Sequence, residues 1–391
     1  MKNLLFSLIV VIPLIAQSQK RALQKWQNNN QFERAVTSIN IADSSTFFIT
    51  AGNFYRTDDT GETWHQTPSF PIKRMCFPIK THGFASHYGA PRVRTTKDGG
   101  KTWQEKSVSA VSEISDLLFI DTLHGWVISP NDGEIGSTVD GGKTWTQALS
   151  PTRHLLNSIA FSDKLNGWAI GEEGTIITTK DGGRNWTSQN SGTNKFLYNI
   201  CMLNQKKGFI TGQNGIILTT EDGGIHWKNI HSPTNKQLYA IDFHKNMGII
   251  VGQGGTLLVS VDAGKSWEFI ETNTTEDFLS LDILTESSIW IGSREGQFFQ
   301  YVQADITTKI QEKQLAKINI YPNPNNGQFK IQGLLNKNYH YSLYNPNGQI
   351  IQKTKARSND WVTIPQKNTG VYWLALQDEK GNKTSYPIIV H

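Results

Sequence analysis

The sequence predicts an all-β protein, a seven-bladed β-propeller followed by a small C-terminal β-sandwich. The composition, with 34 Gly, 12 Trp and 18 Phe but only 4 Met, is typical of a turn-rich β protein rather than a helical one. A short motif recurs six times at nearly constant spacing, which indicates a repeat fold. Near the C-terminus, short apolar strands alternate with Asn-Gly and Pro-Asn turns, which predicts a second β domain.

Residues 1–18 are predicted to form a signal peptide. Lys2 supplies a basic start, residues 4–16 form an apolar run too short to span a bilayer, and Ala16 and Ser18 place small residues at a cleavage site. We therefore expect an exported chain that begins at residue 19, with a membrane anchor as the alternative. No later segment approaches the roughly 20 apolar residues of a transmembrane helix.

The recurring motif reads Ser or Thr, any residue, Asp, any residue, Gly, two variable residues, Trp. Its six Asp and Trp pairs are Asp59 and Trp64, Asp98 and Trp103, Asp140 and Trp145, Asp181 and Trp186, Asp222 and Trp227, and Asp262 and Trp267. Successive tryptophans lie 39 to 42 residues apart. Three short β-branched or aromatic runs precede each motif, so each unit predicts four antiparallel strands, which is one propeller blade.

The residue types of this box are explained by a turn rather than by catalysis. An Asp in a hairpin turn accepts hydrogen bonds from nearby backbone N–H groups, and the Gly adopts a positive φ. The Trp covers the turn and fills the space between blades. We therefore expect a structural role for the box residues.

A seventh unit has no box and lacks a fourth strand. Residues 279–283, 289–292 and 296–299 supply three strands, and the segment around Trp26, residues 23–27, looks like the end of a box repeat. We expect that segment to be the fourth strand of the last blade. This pairing closes the ring and removes an open sheet edge.

These boxes resemble the Asp-box (BNR) repeat superfamily, and their presence in nearly every blade looks most like the photosystem II assembly and stability factor family. The resemblance covers roughly residues 23–303. It implies a propeller over residues 19–303 with a non-enzymatic binding or assembly role.

Residues 304–315 are predicted to be a linker, and residues 316–391 a β-sandwich. The residues that define this domain are Tyr321, Pro322, Asn323, Pro324, Gly370 and Tyr372, together with an apolar last strand. They resemble the C-terminal sorting domain of type IX secretion cargo. One departure is that residues 385–387, Ser-Tyr-Pro, stand just before the apolar last strand, where the family tends to place a Lys. The resemblance implies recognition by an outer-membrane translocon of a Gram-negative bacterium and a secreted or surface-attached protein. An ordinary carbohydrate-binding-like sandwich is the alternative.

Charge and cysteine content exclude further classes. The formal charge of +5 comes from the signal peptide and the C-terminal domain, and the propeller itself is near −2, so a nucleic-acid partner is not expected. Cys76 and Cys201 fall at the same register of blades 2 and 5, across the ring from each other. We expect two buried free thiols rather than a disulfide framework.

Basic residues recur on the predicted connections between blades. Arg34, His154, Lys195 and Lys236 precede the first strands of four blades, and Arg294 lies in a turn that would share their face. One interpretation is a binding arc for an unknown surface protein or an anionic glycan on a monomeric propeller. Glu172 and Glu173 fall on the same face, and we favour the other interpretation, ordinary solvated loop charge.

An enzymatic alternative is a secreted, sialidase-like glycoside hydrolase, since those enzymes also carry Asp boxes on a propeller. Their Phe-Arg-Ile-Pro motif is absent, and residues 70–73 only approximate it. The ten His show no ligand spacing, and each Gly cluster falls on a hairpin rather than before a helix. We therefore predict a non-catalytic protein without metal or cofactor.

Overall fold

The computed structural model describes residues 24–25, 32–67, 70–285, 288–301, 319–323, 325–332, 339–356, 361–365, 368–377 and 383–390. The chain divides into two compact units, Met1–Asp305 and Ile306–His391. Within the described part, β-strands and three 3-10 turns supply all regular structure, which confirms the all-β class. No described helix has the length and apolar character needed to cross a membrane. The predicted signal peptide and linker lie outside the described residues.

The first unit contains 28 described strands. The first half are β1 (Gln24–Lys25), β2 (Ser38–Ile41), β3 (Phe47–Ala51), β4 (Asn53–Thr57), β5 (His65–Gln66), β6 (Ile72–Ile79), β7 (His82–His87), β8 (Arg92–Thr96), β9 (Gln104–Ser107), β10 (Asp116–Phe119), β11 (Gly125–Ile128), β12 (Ile135–Thr138), β13 (Thr146–Ala148) and β14 (Leu156–Phe161). The second half are β15 (Gly167–Gly171), β16 (Ile176–Thr179), β17 (Thr187–Gln189), β18 (Leu197–Met202), β19 (Gly208–Gly212), β20 (Ile217–Thr220), β21 (Lys228–Asn229), β22 (Leu238–His244), β23 (Met247–Gly252), β24 (Thr256–Ser260), β25 (Glu268–Ile270), β26 (Phe278–Thr285), β27 (Ser288–Ser293) and β28 (Phe298–Tyr301).

These strands form seven four-stranded antiparallel sheets, each of which is one blade. Strands β2–β5 form blade 1, β6–β9 blade 2, β10–β13 blade 3, β14–β17 blade 4, β18–β21 blade 5 and β22–β25 blade 6. Blade 7 consists of β26, β27, β28 and β1. The 3-10 turns, at Glu172–Gly174, Gln213–Gly215 and Gln253–Gly255, join the second and third strands of blades 4, 5 and 6.

The blades are arranged in a closed ring. The first strands of the seven blades, β2, β6, β10, β14, β18, β22 and β26, each contact the first strands of both neighbours. In blade 7, Gln24 lies opposite Gln300 and Lys25 opposite Phe299. The prediction that an N-terminal strand completes the last blade is confirmed, while Trp26 itself lies outside the described residues.

The core of this unit lies between the blades, because each sheet buries both of its faces. On the first strand of blade 4, Ile159 and Phe161 pack against Trp126 of blade 3. Ala160, which points to the other face of that strand, packs against Ile200 of blade 5. Alternate side chains of one strand therefore contribute to two different interfaces.

The second unit contains two sheets that face each other. Its strands are β29 (Asn319–Tyr321), β30 (Gln328–Gln332), β31 (Tyr339–Tyr344), β32 (Ile350–Ala356), β33 (Trp361–Thr363), β34 (Gly370–Gln377) and β35 (Lys383–Val390). One sheet has the order β29-β30-β33 and the other β32-β31-β34-β35. Phe329 and Ile331 of the first sheet share one buried cluster with Tyr372, Leu374 and Ile388 of the second, as a sandwich requires.

Removing residues 19–31 should destabilise the propeller, because blade 7 then loses its outer strand and the ring its closure. We expect a melting temperature lower by about 2–4 °C for each kcal/mol of closure energy lost. Differential scanning calorimetry of the purified protein measures the change. A chain that lacks only residues 19–23 keeps β1 and serves as the control; equal melting curves for the two chains would show that β1 does not close the ring.

Candidate functional site

The six box turns and the turns between first and second strands share one face of the propeller, which we call the box face. In blade 3 the N–H of Gly141, in the box, donates to the carbonyl of Leu123 at 2.9 Å. The Gly182 N–H of blade 4 donates in the same way to Leu165 at 3.0 Å. Each box is thus tied to the neighbouring turn of its own blade.

The connections between blades and the turns between second and third strands share the opposite face, the connection face. The N–H of Gly174, in such a turn, donates to Lys195 O on the following connection at 2.9 Å. A side chain at Gly174 would collide with the carbonyl of Thr193, and its φ of 67° also favours Gly. Turn and connection therefore pack directly against each other.

Hydrogen bonds occupy the box carboxylates. In blade 1, Asp59 Oδ1 accepts from the Thr57 hydroxyl at 2.6 Å and from the Thr63 N–H at 2.9 Å. The Thr57 hydroxyl oxygen in turn accepts from the Gly61 N–H at 2.9 Å. These contacts, with the Thr57 hydrogen bond as the largest contribution, lower the pKa of Asp59 to about 2. Matching hydrogen bonds occur at Asp98, Asp140, Asp181, Asp222 and Asp262.

The box tryptophans pack against the preceding blade. Trp64 of blade 1 meets Phe298 of blade 7 edge-on, with ring centroids 5.7 Å apart. Trp103 of blade 2 meets Phe54 of blade 1 at 5.1 Å. The remaining box tryptophans, Trp145, Trp186, Trp227 and Trp267, lie in the corresponding interfaces of blades 3 to 6. The box residues are therefore engaged inside the fold.

All five sequence-predicted binding residues lie on the connection face. Arg34, His154, Lys195 and Lys236 are on the connections that lead into blades 1, 4, 5 and 6, and Arg294 is in the turn between β27 and β28 of blade 7. Blades 4, 5, 6, 7 and 1 are consecutive around the ring. The predicted residues thus share one sector, and all except the half-buried Lys195 are exposed.

The arc is less positive than the sequence alone suggests. Arg294 Nε lies 3.1 Å from Asp277 Oδ2, which pairs its charge. Lys236 Nζ donates to the Gly254 carbonyl at 3.1 Å. Asp277, on the connection into blade 7, thus offsets the charge of Arg294, and Glu33 stands next to Arg34 in the sequence.

A groove of about 490 Å³ opens on the connection face beside blade 4. Residues 151–154, 173–176, 188–191 and Thr193 line it, so it brings His154 together with Glu173. Glu173 has a left-handed backbone, with φ of 52°. Because Arg153 and Glu173 both line the groove, it presents both signs of charge rather than a purely anion-binding lining.

The structure adds an aromatic group that sequence reasoning missed, which we call the tyrosine cluster: Phe196, Tyr198 and Tyr239. β-Bulges in β18 and β22 fall at Tyr198 and Tyr239 and take them out of the regular pairing. The two tyrosine rings are 5.4 Å apart at 61°, and Phe196 stacks on Tyr198 at 5.1 Å. The signal in the sequence was a repeated Leu-Tyr pair at equivalent positions of blades 5 and 6.

Hydrogen bonds fix the side chains of Gln213 and Gln237 beside this cluster. Gln237 Oε1 accepts from the Asn214 N–H at 3.2 Å and from the Tyr198 hydroxyl at 3.4 Å, and Gln213 Oε1 accepts from the Phe196 N–H at 3.3 Å. Because these donors require the oxygen of each amide, the NH2 groups are oriented away from them. The cluster is therefore suited to a partner that supplies carbonyl or carboxylate oxygens.

The Arg294 guanidinium adds a cation to the same group, 5.9 Å from the centre of the Tyr239 ring. Burial raises the pKa of Tyr198 and of Tyr239, and the Asp277 carboxylate raises that of Tyr239 further. Both phenols are protonated at neutral pH. The cluster joins two of the predicted binding residues, since Lys195 precedes Phe196 and Arg294 lies over Tyr239.

Carboxylates on the innermost strands link neighbouring blades. Asp282 of blade 7 accepts from the Ile41 N–H of blade 1 at 2.7 Å, and Asp242 of blade 6 accepts from the Ile283 N–H at 3.2 Å. Burial raises the pKa of both, and the charge of Asp282 raises that of Asp242 further. Their bonds to backbone N–H groups give them a structural role between blades.

Neither cysteine is in a disulfide, as predicted. Cys76 Sγ accepts from the Phe119 N–H of the next blade at 3.4 Å, and burial raises its pKa to about 11. Burial also raises the pKa of Cys201. Over the part of the chain that the structure describes, no three His, Cys, Asp or Glu side chains group in a way that could bind a metal ion.

Two family models match the chain. The model of the photosynthesis system II assembly factor YCF48 matches residues 95–192, 147–233 and 188–277, and that of the secretion system C-terminal sorting domain matches residues 319–391. The chain carries YCF48-type repeats and a secretion sorting domain. No curated protein matches it.

Solved propellers share the fold of the YCF48-type repeats. YCF48 bound to D1 peptide has a TM-score of 0.60 at 19% identity, over 69% of this chain and 94% of that one. YCF48 from Cyanidioschyzon merolae also gives 0.60, at 17% identity over 71% and 98%. The WD40 propeller domain of Doa1 gives 0.58 at 11% identity over 70% and 94%. At these identities the likeness shows the propeller architecture, as predicted.

Replacing Asp242 or Asp282 with Asn should stabilise the protein more at pH 8 than at pH 5. When folding raises the pKa of a carboxyl group, its contribution to the free energy of unfolding is fully present below the unfolded-state pKa of about 4. This contribution is lost as the pH rises towards the pKa of the folded state. Asn keeps an oxygen for the backbone N–H but does not ionise. Melting temperatures measured from pH 5 to pH 8 test this expectation.

Asp98→Asn is the matched control for that series. Hydrogen bonds from Thr102 lower the pKa of Asp98 to about 2, so its contribution is lost only as the pH falls below about 4. The effect of Asp98→Asn should therefore stay constant between pH 5 and pH 8. A constant effect of Asp242→Asn and Asp282→Asn over the same range would contradict the raised pKa values.

Proposed function

We propose that this protein is an exported, non-catalytic propeller that binds a partner on the sector of its connection face formed by blades 5 to 7. The observation that carries the proposal is the tyrosine cluster with the Gln213 and Gln237 amides fixed beside it. The same bulge also occurs at Asn157 of blade 4 and Leu279 of blade 7, and blades 5 and 6 differ from them in placing an aromatic ring at that position. The box face, in contrast, uses its polar groups to hold its own turns.

The chemistry of the sector favours a peptide segment of another exported or surface protein. A peptide offers a row of carbonyl oxygens to Gln213 and Gln237, and an acidic side chain would complement Lys195 and Lys236. One face of the Tyr198 ring is covered by Phe196, which leaves it less suited to stacking on a sugar. The YCF48 structure with a D1 peptide supports a peptide partner by analogy of fold.

We propose export through type IX secretion on the basis of the C-terminal unit. The sorting-domain match supports this route, and the predicted signal peptide would supply the first step across the inner membrane. The mature protein is then secreted or attached to the outer surface of a Gram-negative cell. The partner is accordingly sought among envelope and extracellular proteins rather than among photosynthetic ones.

The glycoside hydrolase alternative gains no support from the carboxylates. Most glycoside hydrolases need a pair of carboxyl groups on either side of the scissile bond, and sialidases are an exception that uses a Tyr nucleophile. In the proposed sector the Tyr198 hydroxyl is bonded to the Gln237 amide rather than to a carboxylate. The box carboxylates bind their own turns, and Asp242 and Asp282 bind the backbone of the next blade. We therefore retain binding as the proposed function.

Deleting residues 316–391 should block export across the outer membrane, since the sorting domain is then missing. We expect the propeller to accumulate in the periplasm while the full-length chain reaches the surface or the medium. Fractionation followed by immunoblotting measures the distribution. Normal extracellular levels of the truncated chain would contradict the export route.

Charge reversal at Lys195 and Lys236 together should weaken partner binding by about tenfold, because both lie in the proposed sector. The partner is isolated by pull-down from envelope extract, and its affinity is then titrated at low and at physiological salt. Reversal at Lys101 and Lys143, which are exposed in box turns, is the matched control. Equal losses for the two pairs would place binding elsewhere, and hydrolysis of a glycoside by the propeller would overturn the binding role.

A further inference from the structure

The Tyr-Pro-Asn segment that opens the sorting domain, Tyr321 to Asn323, lies against the last strand of that domain, β35. The segment Tyr321 to Asn323 leaves β29, at the edge of the three-stranded sheet, and reaches β35, at the edge of the other sheet. Asn325 then forms a parallel bridge with Val390. Two parts of the signature that are more than 60 residues apart in sequence are therefore adjacent in the fold.

Asn323 makes this contact through both ends of its side-chain amide. Its Nδ2 donates to the carbonyl of Pro387 at 2.8 Å, and its Oδ1 accepts from the Ile389 N–H at 2.8 Å. The backbone N–H of Asn325 donates to the Ile389 carbonyl at 2.9 Å. One side chain thus replaces two hydrogen bonds of a missing neighbouring strand.

These contacts close part of the outer edge of β35. Pro387 has no N–H to present, its carbonyl binds Asn323, and both backbone groups of Ile389 are bonded. An open edge of this kind would otherwise offer unpaired backbone groups to other chains. The signature therefore protects the end of the last strand and fixes its position.

We propose that Asn323 is the positioning residue of the sorting signal. It holds the Tyr321 segment against β35 so that both together form the surface that the export machinery binds, an inference that rests on the proposed type IX export. The side chains beside this joint are exposed and apolar, with Tyr321 62% and Ile389 39% accessible. A protein subunit that buries these two side chains is the partner that the surface fits.

Asn323→Ala tests the proposal in the full-length chain. We expect the Ile389 amide to exchange its hydrogen at least about fivefold faster, because its acceptor is removed, and we expect export to fall. Exchange is followed by mass spectrometry on protein taken from the periplasm, and export by cell fractionation. Asn347→Ala, an exposed Asn→Ala change in a turn of the same domain, should alter neither measurement.

Two further variants separate positioning from other roles. Asn323→Asp keeps an acceptor for the Ile389 N–H but loses the donor to Pro387. The protection of the Ile389 amide from exchange and the export of this variant should therefore both be intermediate. This variant also tests the proposal if Asn323→Ala does not fold. Tyr321→Ala should reduce export while Ile389 stays protected, because the surface is altered and the joint is intact.

Export that tracks Ile389 protection across the Asn323 variants supports the proposal. Lost protection with normal export would overturn it, and so would lost export with unchanged protection, which would make Asn323 a direct contact of the machinery. Normal export of Tyr321→Ala would overturn the proposed surface, of which Tyr321 is a part. Normal export of the chain without residues 316–391 would instead reject type IX export itself, so the two failures are distinguishable.

Discussion

No blade of this propeller can bury its two faces alone, and the rest of the structure depends on that constraint. Each inner strand sends alternate side chains to the preceding and the following blade, as Ile159 and Ala160 do in blade 4. Polar links accompany this packing: the Ser280 hydroxyl donates to the Val36 carbonyl at 2.8 Å across the last interface. Stability is therefore a property of interfaces between neighbours, as in other repeat proteins.

The same constraint gives the two faces of the propeller different roles. A box turn sits at one end of six of the seven interfaces, where the box Trp contacts the preceding blade and the box carboxylate holds the turn. The connections at the other end only need to join blades. They tolerate bulges, tyrosines and charged residues, and this freedom gives the connection face its potential for recognition.

The sequence predicts correctly those features that depend on residues close together in the chain. The box spacing predicts the strand order, and the box-like segment at Trp26 predicts the closing strand, because turn chemistry and ring closure are both encoded locally. It did not predict the tyrosine cluster, since a bulge depends on pairing between strands. It also missed the Arg294–Asp277 pair, which forms only when a turn meets a connection 17 residues earlier.

The closing strand is short, and this has a consequence for how the ring loses structure. β1 comprises only Gln24 and Lys25, as short as the outer strands of blades 1 and 5, but it is held to its blade by strand pairing alone, whereas those two strands are also joined to their blades by a box turn. Partial opening of a native protein begins where the fewest contacts must be broken. We therefore expect the ring to open first at blade 7. A ligand that contacts both blade 7 and blade 1 would raise the barrier to this opening.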